Sequence, residues 1–242
     1  MEADLRRLAG AGLVIGTAHD IGRGQLSYHG FCVLTGIFDP AETERMRAML
    51  DEFGRKANFK DLRGRGVGIH PLLEKIPGFL AFLCDPRLLS AMEQLLGAPV
   101  RLMKSGARMS DHHCDAQLAL WHNHFHWDPG LLLHRRRVER VLAVIYIDGS
   151  GPDLPAYFVA WPRSLNDPLR SCPDQTAEVE TVAMQPGDVV VFDTALWHSA
   201  WRGTGIGRRR IAGGHYQLAI CDRPHPDDDG SLAKAEACAD GR

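Results

Sequence analysis

The chain has 242 residues, 45% hydrophobic and 24% charged, with a formal net charge of -2. Such a chain suits one larger globular domain or two small ones, and its near-neutral balance gives no reason to expect nucleic acid or a membrane surface as a partner. Six cysteines without a CxxC pair point to thiols in a reducing compartment rather than to a disulfide framework.

Residues 2–10 read as a short helix. Arg6-Arg7 followed by Leu8 to Ala18 has the length of a signal-peptide core. Against that reading, Glu2 and Asp4 precede the arginines, glycines interrupt the run, and no small-x-small cleavage site precedes His19. The expectation is a cytoplasmic protein with residues 1–29 as an N-terminal extension, and no run is long enough for a membrane span. Organisation begins at Gly30. Phe31 to Leu34 reads as a strand, and Asp39-Pro40 starts a helix with Met46, Met49, Leu50 and Phe53 at helical spacing. Residues 54–71, basic and glycine-bearing, read as a loop, either solvated or contacting an anion. Two helices are predicted over Leu72 to Cys84 and Pro86 to Leu96, the second closed by Gly97 and Pro99.

From Val100 onward the pattern changes. Val100 to Met103, Leu118 to Asp128, Val138 to Ile147, Ala156 to Val159, Glu178 to Met184, Asp188 to Phe192 and Arg209 to Ile220 read as strands separated by glycine, proline and aspartate clusters. Such a run of strands without intervening helices indicates an antiparallel sandwich or barrel, a mainly β domain over 30–221 with flanking helices. Residues 222–242 carry few large apolar side chains and are expected to form a mobile tail, with at most a weak helix near Ala233 to Ala239.

The densest chemistry lies in Trp121-His122-Asn123-His124-Phe125-His126-Trp127-Asp128. If extended, this stretch puts His122, His124, His126 and Asp128 on one face. Imidazoles and a carboxylate are costly to bury without partners, so the ladder reads as half of a metal site. An oxygen-using iron(II) centre wants two imidazoles and a carboxylate on one side of the ion. His126-x-Asp128 supplies an i, i+2 pair, and His198, beyond the strand ending in Phe192, is the candidate distal ligand. Arg209 shares the more polar face of the last strand with Ile211, Gly213 and His215. A guanidinium aimed into a barrel needs a carboxylate, which a dicarboxylate cosubstrate would supply.

These residues resemble the phytanoyl-CoA dioxygenase family of iron(II)- and 2-oxoglutarate-dependent oxygenases. Gly30 to Leu34 is similar to the family's opening strand, His126-Trp127-Asp128 to its HxD motif, and Trp161-Pro162-Arg163-Ser164 to its PGS segment. Pro186 to Phe192 with Leu196-Trp197-His198 is similar to the strand leading to the distal histidine, and Arg209 falls at the cosubstrate arginine. The resemblance implies a double-stranded β-helix (a jelly-roll, cupin-like barrel) with iron held by His126, Asp128 and His198. It also implies 2-oxoglutarate with its far carboxylate on Arg209, and O2-dependent hydroxylation of a small molecule with release of succinate and carbon dioxide. Asp128 argues against the halogenating branch, which lacks that ligand. The chain departs from the family at Trp127, Arg163 and Ala200, where glutamine, glycine and a hydroxyl are usual, and at Val144, where an aromatic often lies beside the cosubstrate. Tyr146, on the same face as Val144, is the candidate substitute.

Other readings stay open at this level. His122-x-His124 fits in outline a cupin-type metal enzyme that needs no 2-oxoglutarate, and a catalytically silent ligand-binding barrel is a third class. With iron on His126 and Asp128, His122 and His124 are expected farther from the metal, where with Trp127 they would contact substrate. Arg135 to Arg137, Arg140, Arg208 and Arg210 could form a rim for an anionic or carrier-linked substrate, or be solvated strand ends. His112-His113-Cys114-Asp115 could be a zinc half-site or a polar loop.

Overall fold

A computed structural model describes residues 25–56, 66–111, 121–124, 138–162, 178–221 and 229–240. Its core is two antiparallel sheets. The larger has strand order β1-β7-β4-β9-β3-β2 and the smaller β6-β5-β8. In chain order the strands are β1 (Phe31–Leu34), β2 (Val67–Ile69), β3 (Val100–Asp111), β4 (Arg140–Tyr146), β5 (Ala156–Trp161), β6 (Glu180–Val182), β7 (Val189–Asp193), β8 (Trp197–Arg202) and β9 (Arg208–Leu218). Among the described residues the helices that accompany them include α1 (Pro40–Lys56), α2 (Leu72–Lys75), α3 (Leu80–Leu83), α4 (Pro86–Leu96) and α5 (Ser231–Asp240).

Alternation divides the larger sheet into two faces. Val141, Ala143 and Ile145 of β4, Val189 and Val191 of β7, and Ala212 and Tyr216 of β9 belong to an outer core with Met46, Leu50, Leu72, Leu83 and Met92 from the helices. The intervening residues Val144, Tyr146, Val190 and Phe192 point between the sheets, where they meet Phe158 and Ala160 of β5. One set of strands thus builds a helix-backed layer outside and a lined interior inside.

Local chemistry sets the helix ends. In α1 the Glu42 N–H donates to Asp39 Oδ1 at 2.8 Å and the Asp39 N–H to Glu42 Oε2 at 2.9 Å, a reciprocal capping box. Its Thr43, Met46 and Leu50 are buried at the spacing of one helical face. In α4, Asp85 accepts from the Arg87 N–H, Pro86 opens the helix, and Gly97 at φ 75° closes it. The predicted helix over 72–84 is two short helices and a 3-10 turn, Pro77–Phe79, because Pro77 has no N–H with which to continue α2. Gly187, at φ 93°, turns the chain into β7 where a Cβ would lie 2.1 Å from the Phe38 carbonyl oxygen.

Three expectations are corrected. The predicted loop over 54–71 contains β2, paired with β3 from Val67↔Met109 to Ile69↔Ala107. The strand predicted to end at Met103 continues to Asp111, because pairing with β9 carries it through Ser105-Gly106-Ala107 after an irregularity between Leu102 and Lys104. The expected C-terminal tail is docked over 229–240: Asp229 accepts the Ser105 N–H at 3.0 Å, and the Ser231 hydroxyl donates to the Ser105 hydroxyl at 2.8 Å. Among the described residues no helix is long and apolar enough to cross a membrane.

Candidate metal and cosubstrate site

The interior between the sheets holds a cavity of about 500 Å³, a size that suits a small molecule. Its walls include Val144, Tyr146, Phe158 and Phe192 from the inner core, His122, His124 and His198, and Arg209, Ile211, Gly213 and His215 along one face of β9.

His198 is the second residue of β8, a strand absent from the sequence reading. The turn before it is shaped by Asp193, whose carboxylate accepts the Ala195 N–H at 2.9 Å, and it carries the chain from the larger sheet to the smaller. The ring packs against Phe192, with centroids 4.4 Å apart, and Nδ1 lies 2.9 Å from the Leu196 carbonyl oxygen. In the tautomer that donates this bond, Nε2 is left as the acceptor or ligand atom. Burial, then the neighbouring His122 and His124, push its pKa well below the usual histidine range, so the ring is neutral as a metal ligand requires.

His122 bridges to β8 directly opposite His198. The His122 N–H donates to the His198 carbonyl at 3.1 Å and the His198 N–H to the His122 carbonyl at 2.9 Å. The His124 N–H in turn donates to the Thr194 carbonyl at 2.8 Å. Ring centroids lie 4.2 Å apart for His122 and His198, and 5.2 Å apart for His124 and each of the other two. The potential ligand atoms of all three lie within 4.8 Å of one another. The sequence reading sets His122 and His124 farther from the metal; the backbone pairing puts both beside His198. His126, Trp127 and Asp128 lie outside the described residues, as do Arg135 to Arg137, Arg163 and residues 112–115.

Arg209 projects into the same cavity and is 6% exposed. Among the described residues its hydrogen-bond partner is the Tyr146 hydroxyl, 3.4 Å from Nη2, with the guanidinium 5.5 Å from the Tyr146 ring centroid. Its Nε is buried without a hydrogen bond, and none of its partners is a carboxylate. Among the described residues no anion offsets the desolvation of this buried cation. Val144 and Ala200 also line the cavity, so the structure brings both to the region the sequence assigned them. Arg208 and Arg210 do not form a rim. Arg210 is paired with Asp51 and Asp148, and Arg208 with Asp51, on the opposite face of the sheet.

Two cavity histidines carry no role in the sequence reading. His215 lies with its ring 5.0 Å from that of His124; alternation from Arg209 puts it on this face, which was the available signal. His70 lies over Gly106, where a Cβ would come within 2.2 Å of its ring. Burial lowers its pKa, and no sequence sign marked it, because the strand that carries Gly106 was predicted to end at Met103.

No family model matches the chain, and no sequence among the curated proteins does. Solved structures do match. The non-heme alpha-ketoglutarate-dependent carbocyclase SnoK from nogalamycin biosynthesis superposes with a TM-score of 0.68 at 17% identity, covering 91% of this chain and 90% of its own. The fold is shared. The epimerase SnoN, in complex with Fe3+, alpha-ketoglutarate and nogalamycin RO, gives 0.64 at 15% identity with 84% of each chain covered. HygX from Streptomyces hygroscopicus, with nickel, 2-oxoglutarate and hygromycin B bound, gives 0.62 at 18% identity, covering 83% of this chain and 87% of its own. These likenesses show a double-stranded β-helix with helices against one sheet, as the resemblance implied.

Proposed function

We propose that this chain is an iron(II)- and 2-oxoglutarate-dependent oxygenase of the phytanoyl-CoA dioxygenase type, acting on a small molecule. The observation that carries the reading is Arg209, a buried guanidinium without a carboxylate partner among the described residues, in the same cavity as a group of imidazoles. A dicarboxylate bridging the two would complete both, which is the fit that 2-oxoglutarate offers.

The chain's own residues have separable tasks. Arg209 holds the far carboxylate, with Tyr146 steadying the guanidinium through its hydroxyl and ring. His198 holds the metal through Nε2, oriented by the Leu196 carbonyl, and the segment from Trp121 to Asp128 supplies the remaining ligands. Phe158 and Phe192 form the dry wall behind them. The metal, when bound, supplies the oxygen chemistry that converts the keto acid to succinate and carbon dioxide while oxidising the substrate. Hydroxylation is the default outcome; ring formation or epimerisation, reactions named for the folds it resembles, are the other outcomes this site could serve. A cytoplasmic setting and an anionic or carrier-linked substrate belong to the same reading.

A second reading has a specific observation behind it. His122-x-His124 beside His198 is a ligand pattern a cupin-type metal enzyme could use without 2-oxoglutarate. Anaerobic addition of iron(II) and 2-oxoglutarate separates the two. The first reading expects a visible metal-to-ligand charge-transfer band that depends on both additions, and iron binding with no such band supports the second.

A further inference from the structure

We infer that the metal is held by three imidazoles, those of His122, His124 and His198, and not by the His126 and Asp128 pair. The inference rests on the metal-dependent reading above and departs from the two-histidine, one-carboxylate set that the sequence resemblance implies.

The backbone decides which pair meets His198. Residues directly opposite in an antiparallel hydrogen-bonded pair carry their side chains on one face, and the two bonds between His122 and His198 make them such a pair. His124, two residues along, falls on that face by alternation, and the ring separations confirm it at 5.2 Å from each of the other two.

The three ligand atoms are close enough to share an ion. Points within 4.8 Å of one another have a common centre no more than about 2.8 Å from each, and a metal–imidazole bond of ~2.1 Å needs only a small inward turn of each ring. The Leu196 carbonyl, 2.9 Å from His198 Nδ1, leaves Nε2 to face that centre, as the outer partner of a metal-bound histidine does. Arg209 and Tyr146 lie in the same cavity but supply no metal ligand, so the role proposed for them is unaffected.

Three neutral ligands leave the ion's full double positive charge, where a carboxylate would reduce it by one. The site should accept cobalt(II), nickel(II) and zinc(II) readily, since imidazole suits all of them, and should favour a doubly negative chelating cosubstrate.

The test is cobalt(II) binding to the full chain without cosubstrate, followed by the visible ligand-field spectrum and by metal content after dialysis. His122→Ala and His124→Ala are expected to weaken cobalt(II) binding a hundredfold or more, while His126→Ala and Asp128→Ala stay within threefold of the parent. Melting temperatures of the apo proteins show that each variant folds, and glutamine at 122 or 124 repeats the test where alanine does not. Retention of binding in either of the first two variants overturns the inference, as does loss in Asp128→Ala. Because no 2-oxoglutarate is present, the result stands apart from the proposed function: a three-histidine metal site without a charge-transfer band on adding 2-oxoglutarate would sink that reading and leave this one.

Discussion

Arg209 and Arg210 are neighbours in β9, buried to nearly the same extent at 6% and 8% exposure, yet they face opposite sides of the larger sheet. Arg210 points outward and is met by the Asp51 carboxylate at 2.9 and 3.0 Å and by Asp148 at 2.8 Å. Arg209 points inward and meets one phenol. The outer arginine is paired within the chain, whereas the cavity is lined by Arg209, Lys104, Arg108 and imidazoles and, among the described residues, by no carboxylate. Stability is built on one face and ligand chemistry is left open on the other.

Alanine at each arginine is the strongest way to break this comparison. Arg209→Ala should cost about 3 kcal/mol of 2-oxoglutarate binding, roughly a hundredfold, with metal binding and melting temperature little changed. Isothermal titration against the metal-loaded protein measures it. Arg210→Ala should do the reverse, losing about 2 kcal/mol of stability in urea melts with cosubstrate affinity retained. That is below the ~3–5 kcal/mol of a fully buried pair because Asp51 is a third exposed. If both variants lost stability equally, the division between the faces would fail.

The two buried tyrosines sharpen the same contrast at lower amplitude. On the outer face Tyr216 donates from its hydroxyl to the Leu83 carbonyl at 2.7 Å and fastens β9 to α3. Tyr216→Phe leaves that carbonyl unsatisfied and should cost about 1–2 kcal/mol of stability without touching ligand affinity. On the inner face the Tyr146 hydroxyl accepts a long bond of 3.4 Å from Arg209. Tyr146→Phe should therefore weaken 2-oxoglutarate binding by only about 0.5 kcal/mol, roughly twofold, and leave the melting curve in place.

The outer face was the legible one. Val189 to Phe192 and Val141 to Ile147 are aliphatic runs whose strand character needs no partner to be read, and Asp39-Pro40 with Glu42 announces α1. Alternation put Arg209 on one face with Ile211, Gly213 and His215, and these residues line the cavity together. What escaped depended on long-range pairing. Lys104 to Asp111 carries little β preference and is a strand because β9 lies beside it, while Trp197 to Arg202, which includes His198, is polar enough to pass for a turn. Phase along 121–128 predicts one face for its histidines if the stretch is extended, but the rung opposite His198 is a matter of register between segments more than seventy residues apart. The C-terminal helix was obscure for the same reason: its seat is Ser105 of β3, not its own weak pattern.

The smallest effect concerns acid. Among the described residues the carboxylates near the sheet and its helices lie outside the cavity, so acid should reach the fold through the outer layer. Asp85 caps α4 and accepts from the Arg87 guanidinium and backbone, and these bonds, the side-chain one foremost, hold its carboxyl below the usual aspartate range. A carboxyl lowered on folding stabilises above its unfolded pKa of ~3.9 and loses that contribution as pH falls through the folded value. Asp85→Asn keeps the cap, since asparagine caps as well as aspartate, and removes only the charge. The variant should be less stable than the parent at pH 7 by about 0.5 kcal/mol, a small figure because Arg87 is half exposed. The two urea midpoints should converge only below about pH 4. Convergence at pH 6, well above the carboxylate range, would place the acid-sensitive contact elsewhere than at Asp85.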